Sequence, residues 1–291
     1  VKKICFCLLI FFLIGGRLLS QKPETGELHK KYIDPELPGI VPKVFAPNFI
    51  STEEGHEFSC CFSPNGKEFY FVRDRKLMFT KYENNEWIKP GEVEICKGYF
   101  CKEPHITGDN KILYFGSKQI EDGKVKNGIW KAERKVDGWS DPVFIGEGTF
   151  LSSTINGEVY FGYDDGTHQS NKIIKAKVVD DKFCEQQVVF TSDDFPSSGH
   201  FSIMHPYVSP DETIIIFSAY RKGEWGKQCD LFACFKENNG NWGKPIMFDK
   251  SINAGLTMTP ALSHDGKYLF FLRDGDMWWV DAKVLNEMKP N

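Results

Sequence analysis

Apolar and β-branched positions along the chain gather into five short unbroken runs: FYF at 69–71, LYF at 113–115, VYF at 159–161, IIF at 215–217 and LFF at 269–271. Their last residues, Phe71, Phe115, Phe161, Phe217 and Phe271, recur at intervals of 44 to 56 positions, a period that belongs to repeat architectures. Each run follows a polar turn, in order SPNGK, TGDNK, TINGE, SPDET and SHDGK. Asn, Asp and Gly tolerate positive φ, so each turn predicts a hairpin joining a first strand to a second. A polar stretch then leads to a third strand: KLMFTKY, GIWKAER, KIIKAKV, DLFACFK and MWWVDAK. In the first four units a fourth segment follows. It carries Trp-x-x-Pro in three of them (Trp87, Trp139 and Trp242), and Phe183 stands where the third unit would have its Trp. Four short strands separated by turn residues predict one blade of a β-propeller.

The fifth unit has no fourth segment. VPKVFAPNFIS, residues 41–51, aligns with the fourth-unit segment GKPIMFDKSIN, residues 243–253, through Pro42 with Pro245 and Phe45 with Phe248. A strand supplied from the N-terminal side would complete the last blade and leave no open sheet edge at the seam. The predicted fold is therefore all-β: a single five-bladed β-propeller with four-stranded blades over 39–291, preceded by a signal peptide over 1–20 and an extended lead-in over 21–38.

The N-terminal stretch VKKICFCLLIFFLIGGRLLSQ has two lysines, an apolar run from Ile4 to Ile14, then small and polar residues. This is the order of a secretory signal peptide, and its apolar stretch is short for a bilayer span. Cleavage near Ser20 and a periplasmic or secreted mature chain without a membrane span are expected. A formal net charge of -4, with no Lys/Arg-rich run after the first residues, provides no field for nucleic acid. Beyond residue 20 stand Cys60, Cys61, Cys96, Cys101, Cys184, Cys229 and Cys234, an odd set without regular spacing, unlike a disulfide scaffold. Cys96 and Cys101 bracket KGYF and either close a short loop or remain free thiols. Cys229 and Cys234 sit on one extended strand, where five residues span roughly 16 Å, too far for a bond, and read as packing residues.

The stretches PYVSPDETIIIFSAYRKGEWGKQCDLF and PALSHDGKYLFFLRDGDMWWV, with the Trp-x-x-Pro segments, resemble the TolB-type, WD-like β-propeller repeats of exported bacterial proteins. The resemblance covers nearly all of the mature chain. It implies a non-catalytic binding or scaffolding propeller of the cell envelope, with an envelope protein or a glycan as partner; a monomer is expected.

In a propeller the first strands line the central channel, where ligands usually meet the ring. Aligning the turns places Ser59, Glu103, Phe150, His205 and Thr259 at one equivalent position. Two residues on, and therefore on the same strand face, come Cys61, His105, Ser152, Tyr207 and Ala261. Glu103, His105, His205 and Tyr207 thus form the ionisable, hydrogen-bonding cluster that the repeat brings together. They suit the lining of a water-filled channel, a site for a small ligand or peptide end at the channel mouth, or a metal site if Glu and His donors converge within roughly 2.0 to 2.6 Å of one point. The expectation is the channel-mouth ligand site, with no metal and no cofactor. A second concentration lies in the polar stretches SKQIEDGKVKN, YDDGTHQSN and AYRKGEWGKQ, where Tyr163, Tyr220 and Trp225 suit contact with a partner and equally suit solvated loops. The alternative is a carbohydrate-active enzyme or a carbohydrate-binding propeller. Glycoside hydrolysis requires two carboxylates, whereas the aligned inner positions offer only Glu103. The sialidase turn Ser-x-Asp-x-Gly-x-x-Trp, the Gly-x-Ser-x-Gly elbow, the phosphate loop and the His-x-x-x-His helix are absent from the sequence.

Overall fold

A computed structural model describes residues 32–121, 123–163, 172–194, 201–221, 224 and 226–290. Residues 1–20, where the sequence suggests a signal peptide, and most of the expected lead-in over 21–38 lie outside the described residues. The described chain forms five antiparallel sheets, each a blade of a five-bladed β-propeller. Blade one comprises Glu57–Phe62, Glu68–Arg73 and Lys76–Glu83, with two short outer segments, Glu86–Trp87 and Gly91–Glu92. Blade two runs Cys101–Ile106, Ile112–Glu121 and Lys124–Lys135, with outer pieces Gly138–Trp139 and Val143–Gly146. Blade three is Thr149–Ser153, Glu158–Tyr163, Lys172–Val179 and Lys182–Thr191; blade four is Phe201–Val208, Ile214–Arg221, Asp230–Phe235 and Ile246–Met247. Blade five has Thr257–Leu262, Tyr268–Arg273 and Asp276–Asp281, and its outer strand is Lys43–Val44. That strand pairs antiparallel, Lys43 opposite Trp279 and Val44 opposite Trp278, and the Phe45 N–H continues the ladder to Met277 O at 2.8 Å. The closure expected from the Pro42/Pro245 alignment is the one observed. Among the described residues no helix is long and apolar enough to cross a membrane.

The second strands are apolar without alternation because both of their faces are buried. Tyr70 packs with Leu113 and Phe115 of blade two, while Phe69 and Phe71 pack with Phe270 and Trp279 of blade five. The same division repeats around the ring. Tyr114 meets Val159 and Phe161, Tyr160 meets Ile215 and Phe217, and Ile216 meets Leu269 and Phe271. Each apolar cluster thus lies between two successive blades, and the ring is held by five interfaces rather than one central core.

The hairpin turns also repeat in conformation. Gly66, Asn110, Gly157, Glu212 and Gly266 occupy one aligned position with φ between 57° and 80°. Glu212 is the one residue of the five without an intrinsic tolerance for that region. Its carboxylate holds Lys175 Nζ at 2.7 Å and Lys236 Nζ at 3.0 Å and accepts the Tyr160 hydroxyl, contacts that offset the local strain. One expected loop is not a loop. The stretch 117–127 forms the outer half of a paired hairpin whose register continues to Ile120 opposite Val125 and Glu121 opposite Lys124. The polar composition hid a period-two strand pattern, and Gly123, at φ 71°, supplies the turn.

Candidate functional site

Every first strand carries a register break at the same place: between Phe58 and Cys60, Lys102 and His105, Thr149 and Ser152, Met204 and Tyr207, and Met258 and Ala261. Inside each break sits one residue in the left-handed region: Ser59 (φ 51°), Glu103 (58°), Phe150 (53°), His205 (55°) and Thr259 (52°). These are the five positions that the turn alignment equates, so the repeat is conformational as well as sequential. None is glycine, and each pays of order 1 kcal/mol for its backbone. Such a bulge takes the backbone N–H out of the ladder, and a buried N–H needs another acceptor. Neighbouring side chains supply it. Glu103 Oε2 accepts the Phe150 N–H at 2.7 Å, Thr259 Oγ1 accepts the Ser59 N–H at 3.4 Å, and Ser218 Oγ accepts the Thr259 N–H at 3.2 Å.

Two residues further on, the side chains again reach the next blade. His105 Nε2 accepts the Ser153 N–H at 3.0 Å with Ser153 Oγ at 2.8 Å. Ser152 Oγ accepts the Val208 N–H at 2.9 Å and lies 3.2 Å from Pro206 O. Tyr207 reaches the backbone of Leu262. Because His105 Nε2 accepts a backbone N–H, its ring is the neutral tautomer with the proton on Nδ1. Burial lowers its pKa to about 4. His205, 7 % exposed, lies 3.0 Å from Ser218 Oγ through Nδ1. Burial and the nearby Lys102 charge hold its pKa well below the usual histidine value. Glu103 is 3 % exposed and pairs with Lys102 Nζ at 2.8 Å.

All four sequence-predicted residues, Glu103, His105, His205 and Tyr207, line one cavity of about 290 Å³ on the propeller axis. Its deep end holds the five bulge residues, where the Phe150 and His205 rings meet edge to face with centroids 3.7 Å apart. Its rim is built from the second residue of each hairpin turn: Pro64, Gly108, Ile155, Pro210 and His264, of which Ile155 is 71 % exposed. The rim and the serine and threonine partners had a signal in the sequence, the same turn alignment, but neutral residues at those positions do not stand out by chemistry.

The expected partner loops divide differently. Of these stretches, residues 164–171, 222, 223 and 225 lie outside the described residues; the described residues that follow the second strands are at the opposite end of the ring from the cavity rim, a strand length of roughly 20 Å away. Tyr163 is half-buried against the cluster around Phe161. Tyr220 is not on a loop at all: it lies in the second strand of blade four, 3 % exposed, with Met204 and Cys229. Strand pairing continues past Phe217, with Ser202 opposite Tyr220, and burial on both faces of that strand encloses the Tyr220 ring. Trp225 lies outside the described residues. Cys96 and Cys101 form a disulfide, with Cα atoms 5.8 Å apart, and Cys229 and Cys234 are buried free thiols. Among the described residues no group of three or more His, Cys, Asp or Glu side chains is placed to hold a metal ion.

Depressed histidine pKa values link the cavity to stability. In the unfolded chain both imidazoles take up protons near pH 6.5, whereas in the folded chain His105 does so only near 4. The unfolded state therefore binds more protons between those values, and stability present above pH 6.5 falls as pH drops through this window, by up to about 1.4 kcal/mol per pH unit for each histidine. Urea unfolding between pH 7 and pH 5 is expected to show this slope. His105→Gln, which keeps an acceptor for the Ser153 N–H, is expected to reduce it, and an unchanged slope would refute the assignment.

No family model matches the sequence, and no curated protein matches it. Solved structures do align. A TolB candidate from Agrobacterium tumefaciens superposes with a TM-score of 0.50 at 16% identity, over 74% of this chain and 69% of that one. A GH43_12 protein retrieved from a capybara gut metagenome gives 0.51 at 15% identity, over 85% of this chain and 54% of that one, so the chain spans about half of its length. A gluconolactonase from Xanthomonas campestris gives 0.45 at 9% identity, over 84% and 96%. At these identities the likeness is one of fold, and the functions of the similar propellers are mixed.

Proposed function

We propose that the protein is a non-catalytic binding or scaffolding propeller of the bacterial cell envelope, of TolB type, whose central cavity receives an uncharged group of its partner. The observation that carries this reading is the state of the carboxylate in the cavity. Glu103 is the one acidic residue among the cavity-lining residues, and it is already engaged by Lys102 and the Phe150 N–H. Hydrolysis of a glycoside needs a second carboxyl group and a general acid, and a neutral imidazole, whose remaining N–H is a very weak acid, supplies neither. What remains is a concave site with apolar walls and a few fixed polar groups, which is the composition of a binding pocket. The envelope location is supported by the signal-like N-terminus and by the Cys96–Cys101 disulfide, which persists in oxidising compartments.

The test uses the rim. Ile155→Arg changes an exposed side chain at the cavity mouth and is expected to leave the melting temperature within about 1 °C, because surface substitutions shift stability by at most ~0.5 kcal/mol. Photo-crosslinking in envelope extract is expected to yield a defined adduct with the wild-type chain and at least tenfold less with Ile155→Arg. Equal yields would remove the cavity from the binding surface. Turnover of an aryl-glycoside panel by the wild type, lost in Glu103→Gln, would replace the binding reading with an enzymatic one.

A further inference from the structure

The face opposite the cavity rim carries an aromatic and cationic patch that the central cavity does not explain. Cys96 and Cys101 are both fully buried and disulfide-linked, closing the loop Lys97–Phe100. The Tyr99 N–H bonds to Cys96 O at 3.0 Å, so the backbone of this loop is fixed at both ends and within. It displays Tyr99, 44 % exposed, next to the half-buried Phe100, whose ring meets Phe58 with centroids 6.4 Å apart at 70°. Over Phe100 lies the guanidinium of Arg75, with Cζ 4.6 Å from the ring centroid. Arg75 sits in the left-handed turn after the second strand of blade one and is exposed.

The charges around the loop are assigned unevenly. Lys97 pairs with Glu94 at 2.5 Å and Lys102 with Glu103 at 2.8 Å, but among the described residues no carboxylate pairs with Arg75. A planar guanidinium stacked on an aromatic ring is held in place for bidentate binding of a carboxylate, and such charge-assisted pairs are stronger than neutral hydrogen bonds. The exposed Tyr99 ring, one residue from Phe100 in the same disulfide-closed loop, offers stacking to the C–H face of a sugar ring. The scale also discriminates. Three side chains fall well short of the roughly 20 to 30 residues a side that a stable protein interface uses, and they match one or two sugar rings.

From this juxtaposition we infer that Arg75, Tyr99 and Phe100 form a binding site for an acidic saccharide, the uronate carboxylate on Arg75 and the pyranose ring on Tyr99. The disulfide has a definite role in the site. It spans only a five-residue separation, so its contribution is to hold the aromatic loop in its binding conformation, which lowers the ordering cost of association. This site is separate from the cavity and stands whether or not the cavity binds a partner.

Calorimetric titration of the intact protein with oligosaccharides of glucuronate, galacturonate and mannuronate tests the inference. At least one is expected to bind, and its carboxyl-reduced counterpart is expected to bind at least tenfold more weakly. Arg75→Gln and Tyr99→Ala, both at exposed positions, are each expected to weaken binding tenfold or more without moving the melting temperature. The Cys96→Ser/Cys101→Ser double variant is expected to lose at least threefold in affinity, and its own melting curve shows whether the fold persists. Absence of binding to all three acids, equal affinity for the carboxyl-reduced chain, or binding untouched by Arg75→Gln would overturn the proposal.

Discussion

A chain lacking residues 32–51 is expected to lose its cooperative thermal transition and to aggregate. The segment does more than add one strand to blade five. Phe45, fully buried, lies 5.3 Å from Phe69 of blade one and 4.9 and 5.0 Å from Phe270 and Trp279 of blade five, centroid to centroid. It is therefore the shared core of the seam between first and last blades. Ile50 is fully buried, and Tyr32, 2 % exposed, packs on Phe62, Tyr268 and Trp279 while its hydroxyl donates to Asp265 Oδ1 at 2.5 Å. Phe45→Ala alone is expected to cost about 3–5 kcal/mol, which corresponds to a fall in melting temperature on the order of 10 °C for a domain of this size. Deleting the whole segment removes several such side chains from a fold whose total margin is about 5–15 kcal/mol, and bares the edge of the Asp276–Asp281 strand to pairing with other copies. Scanning calorimetry and light scattering check both consequences. A deletion variant that still melts in one sharp transition near the wild-type temperature would show that the ring closes without its N-terminal strand.

Much of this architecture was legible because a propeller repeats its constraints. Burial on both faces writes the second strand as an unbroken apolar run, as in FYF and LFF, and the αL position of the hairpin selects Gly or Asn at four of the five turns. The closing strand was legible for the same reason, since Phe45 and Phe248 do one job in two blades, both packed under their own outer strand. The candidate site was half legible. Turn alignment brought Glu103, His105, His205 and Tyr207 to one cavity, but it could not show that Glu103 and His105 are spent on backbone N–H groups of blade three. That fact depends on which way a bulged strand turns its side chains, and a bulge with Ser, Glu, Phe, His and Thr at its centre leaves no common residue type to recognise. Tyr220 and the 117–127 hairpin were misplaced by reading polarity as loop, where strand pairing continued beyond the apolar run.

The repeated dipeptide at the end of FYFVRD and LFFLRD marks a second device with a large expected effect. Asp74 Oδ1 accepts the His56 N–H at 3.1 Å and Asp274 Oδ1 accepts the Leu256 N–H at 3.0 Å, each capping the approach to a first strand. The preceding arginines hold the incoming chain. Arg73 donates to Phe49 O at 3.0 Å and Ile50 O at 2.6 Å, and Arg273 donates to Ser251 O and Ile252 O, both at 2.6 Å. Blade one adds a buried charge: Glu57, fully buried, takes Arg73 Nε at 2.7 Å and the Thr52 hydroxyl at 3.0 Å, whereas blade five has the neutral Thr257 in register with Arg273. Arg73 thus ties the closing segment to blade one and neutralises a carboxylate that is fully buried. Arg73→Ala strands that carboxylate and two carbonyls together, and is expected to cost about 3–5 kcal/mol, the usual penalty for removing one member of a buried pair. Arg273→Ala leaves no buried acid behind and is expected to cost less. The double variant Glu57→Leu/Arg73→Met, which removes both charges and keeps the volume, is expected to regain more than half of the loss, because a buried pair and its apolar replacement are often nearly equal in stability. Urea unfolding of the four proteins decides the matter. If Arg73→Ala and Arg273→Ala cost the same and the double variant recovers nothing, the carbonyl contacts rather than the Glu57 charge carry the seam.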